Sequence, residues 1–237
     1  MTFLRALSEE IATLEELANA KKKSYLDAEL PEVLLLPGYF LGKGSLHGLA
    51  LHLQHSYDVA RIEYPSLQDL EKTTLQLLEE IKAVTDLRGE AISLVGHSMG
   101  GLLATRIAQE YPSAVKKVIA LGTPFHGTYG AYTQYPFHLL SQELSESSIR
   151  QMFPKSKFLE ALLGRGFPEN VQFVSIYSSD DIVVMPWRSS ELPERQNTRN
   201  ILLSDVGHLG LLGKKCYGVV DSVLKVAAIA NVQNLNR

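Results

Sequence analysis

The sequence is poor in three things, and each shortage closes off a class of function. It has one cysteine, Cys216, in 237 residues. A single thiol can form no internal disulfide and can supply no cysteine-built zinc site. Net charge is equally scarce, with 23 Lys and Arg against 26 Asp and Glu for a balance of −3. Phosphate backbones are gripped by clustered basic side chains, so this balance offers no electrostatic reason to expect nucleic acid. Long apolar runs are missing too, since no stretch approaches the roughly 18 residues of a membrane span. The opening MTFLRALSEEIATLEELANAKKK reaches Glu9 and Glu10 after only a few apolar residues, unlike a secretory signal. What is present is ordinary globular composition, 45% hydrophobic and 21% charged, which excludes a disordered chain. The expectation is a soluble, cytoplasmic protein folded as a single domain over 1–237, without an integral membrane segment.

Periodicity then divides the chain. Phe3, Leu4, Leu7, Ile11, Leu14 and Leu17 recur at helical spacing, which predicts an amphipathic helix within 1–24. Its polar face carries Glu9, Glu10, Glu15 and Glu16, which anionic lipid repels, so it is expected to pack on the domain or on a second subunit as a homo-oligomer contact. From Val33 onward, short apolar runs alternate with helical patterns. VLLL (33–36), 57–64, 91–95, 115–121, 171–177 and 200–204 read as strands. Residues 45–54, 99–110 and 217–230 read as helices, and a further helix runs to about Thr85 from a capping box at Ser66 and Asp69. This alternation predicts a mostly parallel sheet covered by helices on both faces, with ligands beyond the carboxyl ends of the strands. Residues 125–170 break the rhythm.

Gly96-His97-Ser98-Met99-Gly100 follows one predicted strand and opens a helix. A Gly-x-Ser-x-Gly run in that setting makes a strand-to-helix elbow, where bare positions two before and two after the serine let its hydroxyl stand exposed as a nucleophile. The competing reading is a glycine-rich turn whose serine merely caps the helix; the apolar strand before the run and the small-residue helix after it favour the nucleophile. A dinucleotide loop fails because no acidic residue ends the next strand. A phosphate loop at 38–45 fails because Gly44 follows Lys43 where Ser or Thr is needed.

A serine hydroxyl needs a base, and the base needs a carboxylate to fix its tautomer. Of seven histidines, His208 lies after the last strand, where the chain order Ser, then acid, then His places the base. The acid is expected after 171–177, at Asp180 or Asp181. Asp181 is favoured, with Asp180 as a turn former, and Asp205 is better placed to bond local backbone.

These segments, GHSMG, SIYSSDDIVV (175–184) and DVGHLGLL (205–212), resemble the elbow, acid loop and histidine loop of small bacterial lipases and esterases of the α/β-hydrolase superfamily. The resemblance covers roughly Val33 to Leu224. It implies the α/β-hydrolase fold and a catalytic triad of Ser98, Asp181 and His208. It implies an oxyanion hole from the amides of Met99 and, in the turn Pro37-Gly38-Tyr39-Phe40, of Tyr39. The sequence departs from the family at Pro37, where a histidine is usual, and the choice between Tyr39 and Phe40 stays open.

The segment 125–170 stands where capped relatives carry a helical lid. Gly38, Phe40, Phe125, Phe137, Leu140, Met152 and Phe153 are the expected substrate-binding residues, with Thr128 an alternative to Phe125. The function expected is that of a serine carboxylic-ester hydrolase working through an acyl-enzyme on an apolar acyl ester or lipid. An acyltransferase or thioesterase would use the same triad, and a non-catalytic scaffold is the reading from another class. No metal or cofactor is required by these residues.

Overall fold

Each predicted strand becomes one. The computed structural model describes residues 30–131 and 147–226. Within them lie β1 (Val33–Leu36), β2 (Val59–Arg61), β3 (Ile92–His97), β4 (Val115–Leu121), β5 (Gln172–Ser178) and β6 (Thr198–Leu203). They form one sheet in the order β2-β1-β3-β4-β5-β6, every neighbouring pair parallel. β2 is shorter than the run 57–64 because it pairs only with β1, which itself ends at Leu36 before Pro37.

Unbroken apolar runs are what a sheet buried on both faces demands, because successive side chains point to opposite faces. Leu34 and Leu36 join a core with α2 (Leu70–Arg88) and α3 (Met99–Glu110). Val33 and Leu35 join a second core with α1 (His47–Leu53) on the other face. The closing helix of that face comprises Lys214–Lys225. It starts before the expected 217 because its first turn, Lys214 and Lys215, is polar and hides the period. Truncating a fully buried leucine such as Leu35 to alanine typically costs about 2–5 kcal/mol.

Two further differences from the sequence reading bear on the site. α2 begins at Leu70 with Asp69, not Ser66, as its N-cap, the Asp69 carboxylate accepting the Lys72 N–H at 2.9 Å. The expected insertion divides: its described part holds α4 (Ser148–Gln151) and α5 (Lys157–Gly164). Phe158, Leu159 and Leu162 of α5 are buried in the core of α2 and α3, and Gln109 of α3 donates to the Leu162 and Gly166 carbonyls at 2.7 Å each. α5 is therefore the crossover helix between β4 and β5, and among the described residues of the insertion those that reach the cavity described below are Thr128, Gly130, Ala131, Ile149 and Met152. An apolar stripe looks the same whether it covers a sheet or a pocket. The helix expected within 1–24 lies outside the described residues. Among those described, no helix is long and apolar enough to cross a membrane.

Strand order positions the site. From β1 the chain steps outward to β2, then returns past β1 to β3 and proceeds the other way. The crevice beyond adjacent β1 and β3 is a topological switch point, where open parallel sheets take their ligands. The turn after β1 and Ser98 after β3 meet there.

Candidate active site

Ser98 joins β3 to α3 at φ 52° and ψ −120°, a backbone conformation rare outside glycine. It is over-determined by its surroundings. The Ser98 N–H donates to the Leu121 carbonyl at 2.7 Å, and the Ser98 carbonyl accepts from Gly101 N–H and Thr123 Oγ1, both at 3.0 Å. A Cβ on Gly96 would run into the Gly100 backbone, and one on Gly100 into the carbonyls of Leu36 and Pro37. Only bare positions permit so tight a turn. The serine side chain makes no helix-capping bond, so capping does not account for it.

His208 and Asp181 come together from the loops after β6 and β5. The His208 Nδ1–H donates to Asp181 Oδ2 at 2.7 Å, and both side chains are buried. Asp181 Oδ1 accepts the N–H groups of Val183 and Val184, each at 2.8 Å. The adjacent Asp180 diverges, its carboxylate accepting the Asp205 N–H at 2.8 Å. Asp180 thus ties the two loops together while Asp181 holds the ring. His208 does not cap the closing helix, whose N-cap is Gly213. At the end of β4, Gly122 has φ +56°, and a Cβ there would stand 3.1 Å from His208 Nδ1.

A second histidine sits against the first. His97, fully buried, donates from Nε2 to the His208 carbonyl at 3.2 Å, and the two rings lie 4.6 Å apart between centroids. Burial first, and charge on His208 second, push its pKa well below the ordinary 6.5, so it stays neutral.

The turn after β1 lies against Ser98. A Cβ on Gly38 would be 3.2 Å from Ser98 Cβ and 2.8 Å from His97 Nδ1. The Leu41 N–H closes the turn on the Gly38 carbonyl at 3.1 Å. Phe40 has φ 59°, and its N–H donates to Ser66 Oγ at 3.3 Å. The Pro37 carbonyl accepts from the buried hydroxyl of Tyr64. The Tyr39 phenol is pushed up to about 12 by burial. Met99 opens α3, so its N–H is one of the four at a helix start that lack an intrahelical acceptor.

Ser98, His97 and His208 share a cavity of about 210 Å³ with Gly38, Tyr39 and Phe40. Its remaining wall is largely apolar, including Leu41, Ala131, Ile149, Met152, Val183 and Val184. No Asp, Glu, Lys or Arg is among the described residues lining it. Of the residues expected to bind substrate, Gly38, Phe40 and Met152 line the cavity. Phe125 is instead packed in the core at 1% exposure, and Pro124 and Thr128 line the wall in its place. Phe153 packs against the same core. Phe137 and Leu140 lie outside the described residues. Leu41, Val183 and Val184 were not anticipated. A signal for the valines existed, since a carboxylate loop folding back on its own amides carries the next residues to the histidine. Among the described residues, no group of three or more His, Cys, Asp or Glu could hold a metal ion. Cys216 is buried, which pushes its thiol up to about 11 and leaves it inert as a thiolate.

A parallel sheet with a strained serine at the switch point, and an acid and a histidine after the following strands, defines a class: the chain has the α/β-hydrolase fold. Residues 31–142 match the family model described as the alpha/beta hydrolase fold. Among solved structures the chain is similar to Aspergillus fumigatus lipase B, at 20% identity and a TM-score of 0.68, over 86% of this chain and 54% of that one. It thus spans about half the length of that lipase. It is similar to the mature form of Bacillus licheniformis lipase BlEst2, at 15% identity and a TM-score of 0.66, over 86% of this chain and 95% of that one. A thioesterase domain from the curacin biosynthetic pathway matches at 19% identity and a TM-score of 0.57, over 84% and 92%. At these identities the likeness is one of fold. No curated protein matches the chain in sequence.

Proposed function

We propose that the chain is a serine hydrolase that cleaves uncharged esters with an apolar acyl part through an acyl-enzyme. The observation that carries this reading is the 2.7 Å Asp181–His208 bond at a cavity that Ser98 also lines. With Nδ1 engaged by Asp181, Nε2 is the nitrogen of His208 that takes the Ser98 proton as Oγ attacks the ester carbon. Asp181 stabilises the imidazolium that results, its other oxygen being held by two backbone N–H groups. The carbonyl oxygen gains negative charge, and the amides of Met99 and Tyr39 are its donors. Collapse expels the alcohol, which takes the proton back from His208. Water then repeats the sequence and releases the acid.

The cavity wall supports the substrate class. Apolar side chains suit an acyl chain, and the described residues of the wall include no Asp, Glu, Lys or Arg to pair with a charged one. A thioester is the second reading. It is favoured by the likeness to solved structures described as thioesterases, the curacin domain and the type II enzyme BorB. Acyl transfer would differ only in the acceptor.

Fluorophosphonate labelling of the purified chain tests the reading. Label on Ser98, and loss of about 10⁴–10⁶ in kcat on nitrophenyl esters in Ser98→Ala and His208→Ala, is the expected result. Acyl esters and matched thioesters of graded chain length then sort the leaving group. A folded chain that does not label, or a Ser98→Ala variant with near wild-type turnover, overturns it in favour of a binding scaffold.

A further inference from the structure

Proline at position 37 removes the side-chain support that a histidine would give the turn after β1, yet the turn is held from elsewhere. Tyr64, just beyond β2, is buried and donates its hydroxyl to the Pro37 carbonyl, 27 residues away. Burial first, and the Glu63 carboxylate second, raise the Tyr64 phenol above its ordinary value, so it remains a donor at any working pH. The proline ring fixes φ at residue 37, and the bond on its carbonyl restrains ψ. Both soft dihedrals at the start of the turn are thereby restrained. At the far end, Ser66 Oγ accepts the Phe40 N–H at 3.3 Å. Between the two anchors lies the Gly38–Tyr39 peptide, with Gly38 packed on Ser98 and both residues lining the cavity. The bracing segment is itself fastened to the cavity wall: the Ser66 carbonyl accepts from Ser148 Oγ at 2.6 Å, and Gln151 bonds Asp69 at 2.6 Å and the Leu70 N–H at 2.7 Å.

We propose that Tyr64 is the positioning residue of the oxyanion turn, setting through the Pro37 carbonyl the aim of the Tyr39 amide, with Ser66 holding the other end. This rests on the ester-hydrolase reading. Proline is then half of the device, because a residue with free φ would need a second restraint. It also explains why Ser66 is not the N-cap of α2, since its hydroxyl is committed to the turn.

Tyr64→Phe keeps the ring and removes the hydroxyl. The expected result is a kcat lower by about tenfold or more, short of the ~10²–10³ that loss of a whole oxyanion donor costs, with KM nearly unchanged. Affinity for an alkyl boronate, which mimics the tetrahedral state, falls by the same factor. A role confined to stability would lower the melting temperature and leave kcat per folded molecule and boronate affinity untouched. If wild type labels with fluorophosphonate and Tyr64→Phe matches it in kcat and boronate affinity, the inference is overturned alone. If wild type does not label, the reading beneath it falls as well. Should Tyr64→Phe not fold, Ser66→Ala against Ser66→Thr decides. Kcat and boronate affinity falling together in alanine and recovering in threonine support the bracing segment, and no change in either variant overturns it.

Discussion

On one side of Ser98 stands a pair of side chains, Asp181 and His208; on the other stands a stretch of backbone, Pro37 to Phe40. The pair supplies most of its own geometry. The carboxylate is fixed by the amides two and three residues ahead of it, and the ring is fixed by the carboxylate. The turn supplies less, through the Pro37 ring and the Leu41 N–H on the Gly38 carbonyl, and leans on the fold for the rest. Its start is held by Tyr64 and its end by Ser66. A proton relay depends on which atoms are present, so its residues are specified locally. A charge-stabilising backbone N–H is present on nearly every residue, so all its specificity lies in aim, and aim is set by the surrounding fold.

The sharpest way to break that contrast is to damage the relay at the acid. Three donors converge on Asp181: the His208 Nδ1–H and the Val183 and Val184 amides. Asparagine offers one oxygen and one NH₂, so in Asp181→Asn at least one donor meets another donor. Loss of about 10³–10⁴ in kcat for a nitrophenyl ester is expected. Asp180→Asn keeps a side-chain oxygen that can accept the Asp205 amide and leaves the Asp181–His208 bond in place, so it should stay within about threefold. Steady-state kinetics on the two variants checks both. A larger loss at Asp180 would mean that the relay is not held where the 2.7 Å bond lies.

The same contrast decides what could be read from the sequence. The six strands were legible because each is an apolar run that a doubly covered sheet requires. Ser98, Asp181 and His208 were proposed as a set because their side-chain types fall in chain order after the right strands; the structure brings Asp181 and His208 into contact and places Ser98 and His208 at one cavity. The support of the turn after β1 was not legible. A tyrosine at the end of β2 reads as core, and nothing local says that its hydroxyl reaches a carbonyl 27 residues back. Ser66 was misread as a helix cap because serine three residues before a carboxylate fits a capping box equally well, and only tertiary contact distinguishes the two uses. The stripe on α5 was misplaced over the pocket for the reason that periodicity reports burial without naming the partner. Phe125 was assigned to the cavity by position in its loop, although a bulky ring at the edge of a core is drawn inward.

Damage to the turn should cost less than damage to the acid. Gly38→Ala places a methyl 2.8 Å from His97 Nδ1 and 3.2 Å from Ser98 Cβ, and the neighbours on both sides are buried in the elbow. The turn must yield by some tenths of an ångström. Misplacement approaching 1 Å can cost about 10²-fold, so a kcat lower by about 10–100-fold is expected with only a modest change in KM. Boronate affinity should follow kcat. If instead KM rises and kcat holds, Gly38 shapes the pocket and does not aim a donor.

The last effect concerns His97, a side chain that touches both halves of the site, through the His208 carbonyl and the space above Gly38. Its pKa is lowered in the fold by burial first and by His208 second, from an ordinary 6.5. A histidine depressed in this way binds its proton more readily when unfolded, so stability rises with pH through the window below 6.5 and is lost as pH falls. The melting temperature should accordingly fall as the pH is lowered from 7 to 5. His97→Gln retains an N–H able to reach the His208 carbonyl and removes the titration. Thermal melts of both proteins at pH 7, 6 and 5 should therefore diverge, wild type falling more steeply, while kcat of the variant at pH 7 to 8 stays within about tenfold of wild type, because aim is kept. Parallel melting curves would show that His97 carries its proton in the folded state, and that the two halves of the site are joined by a charge, not by a neutral hydrogen bond.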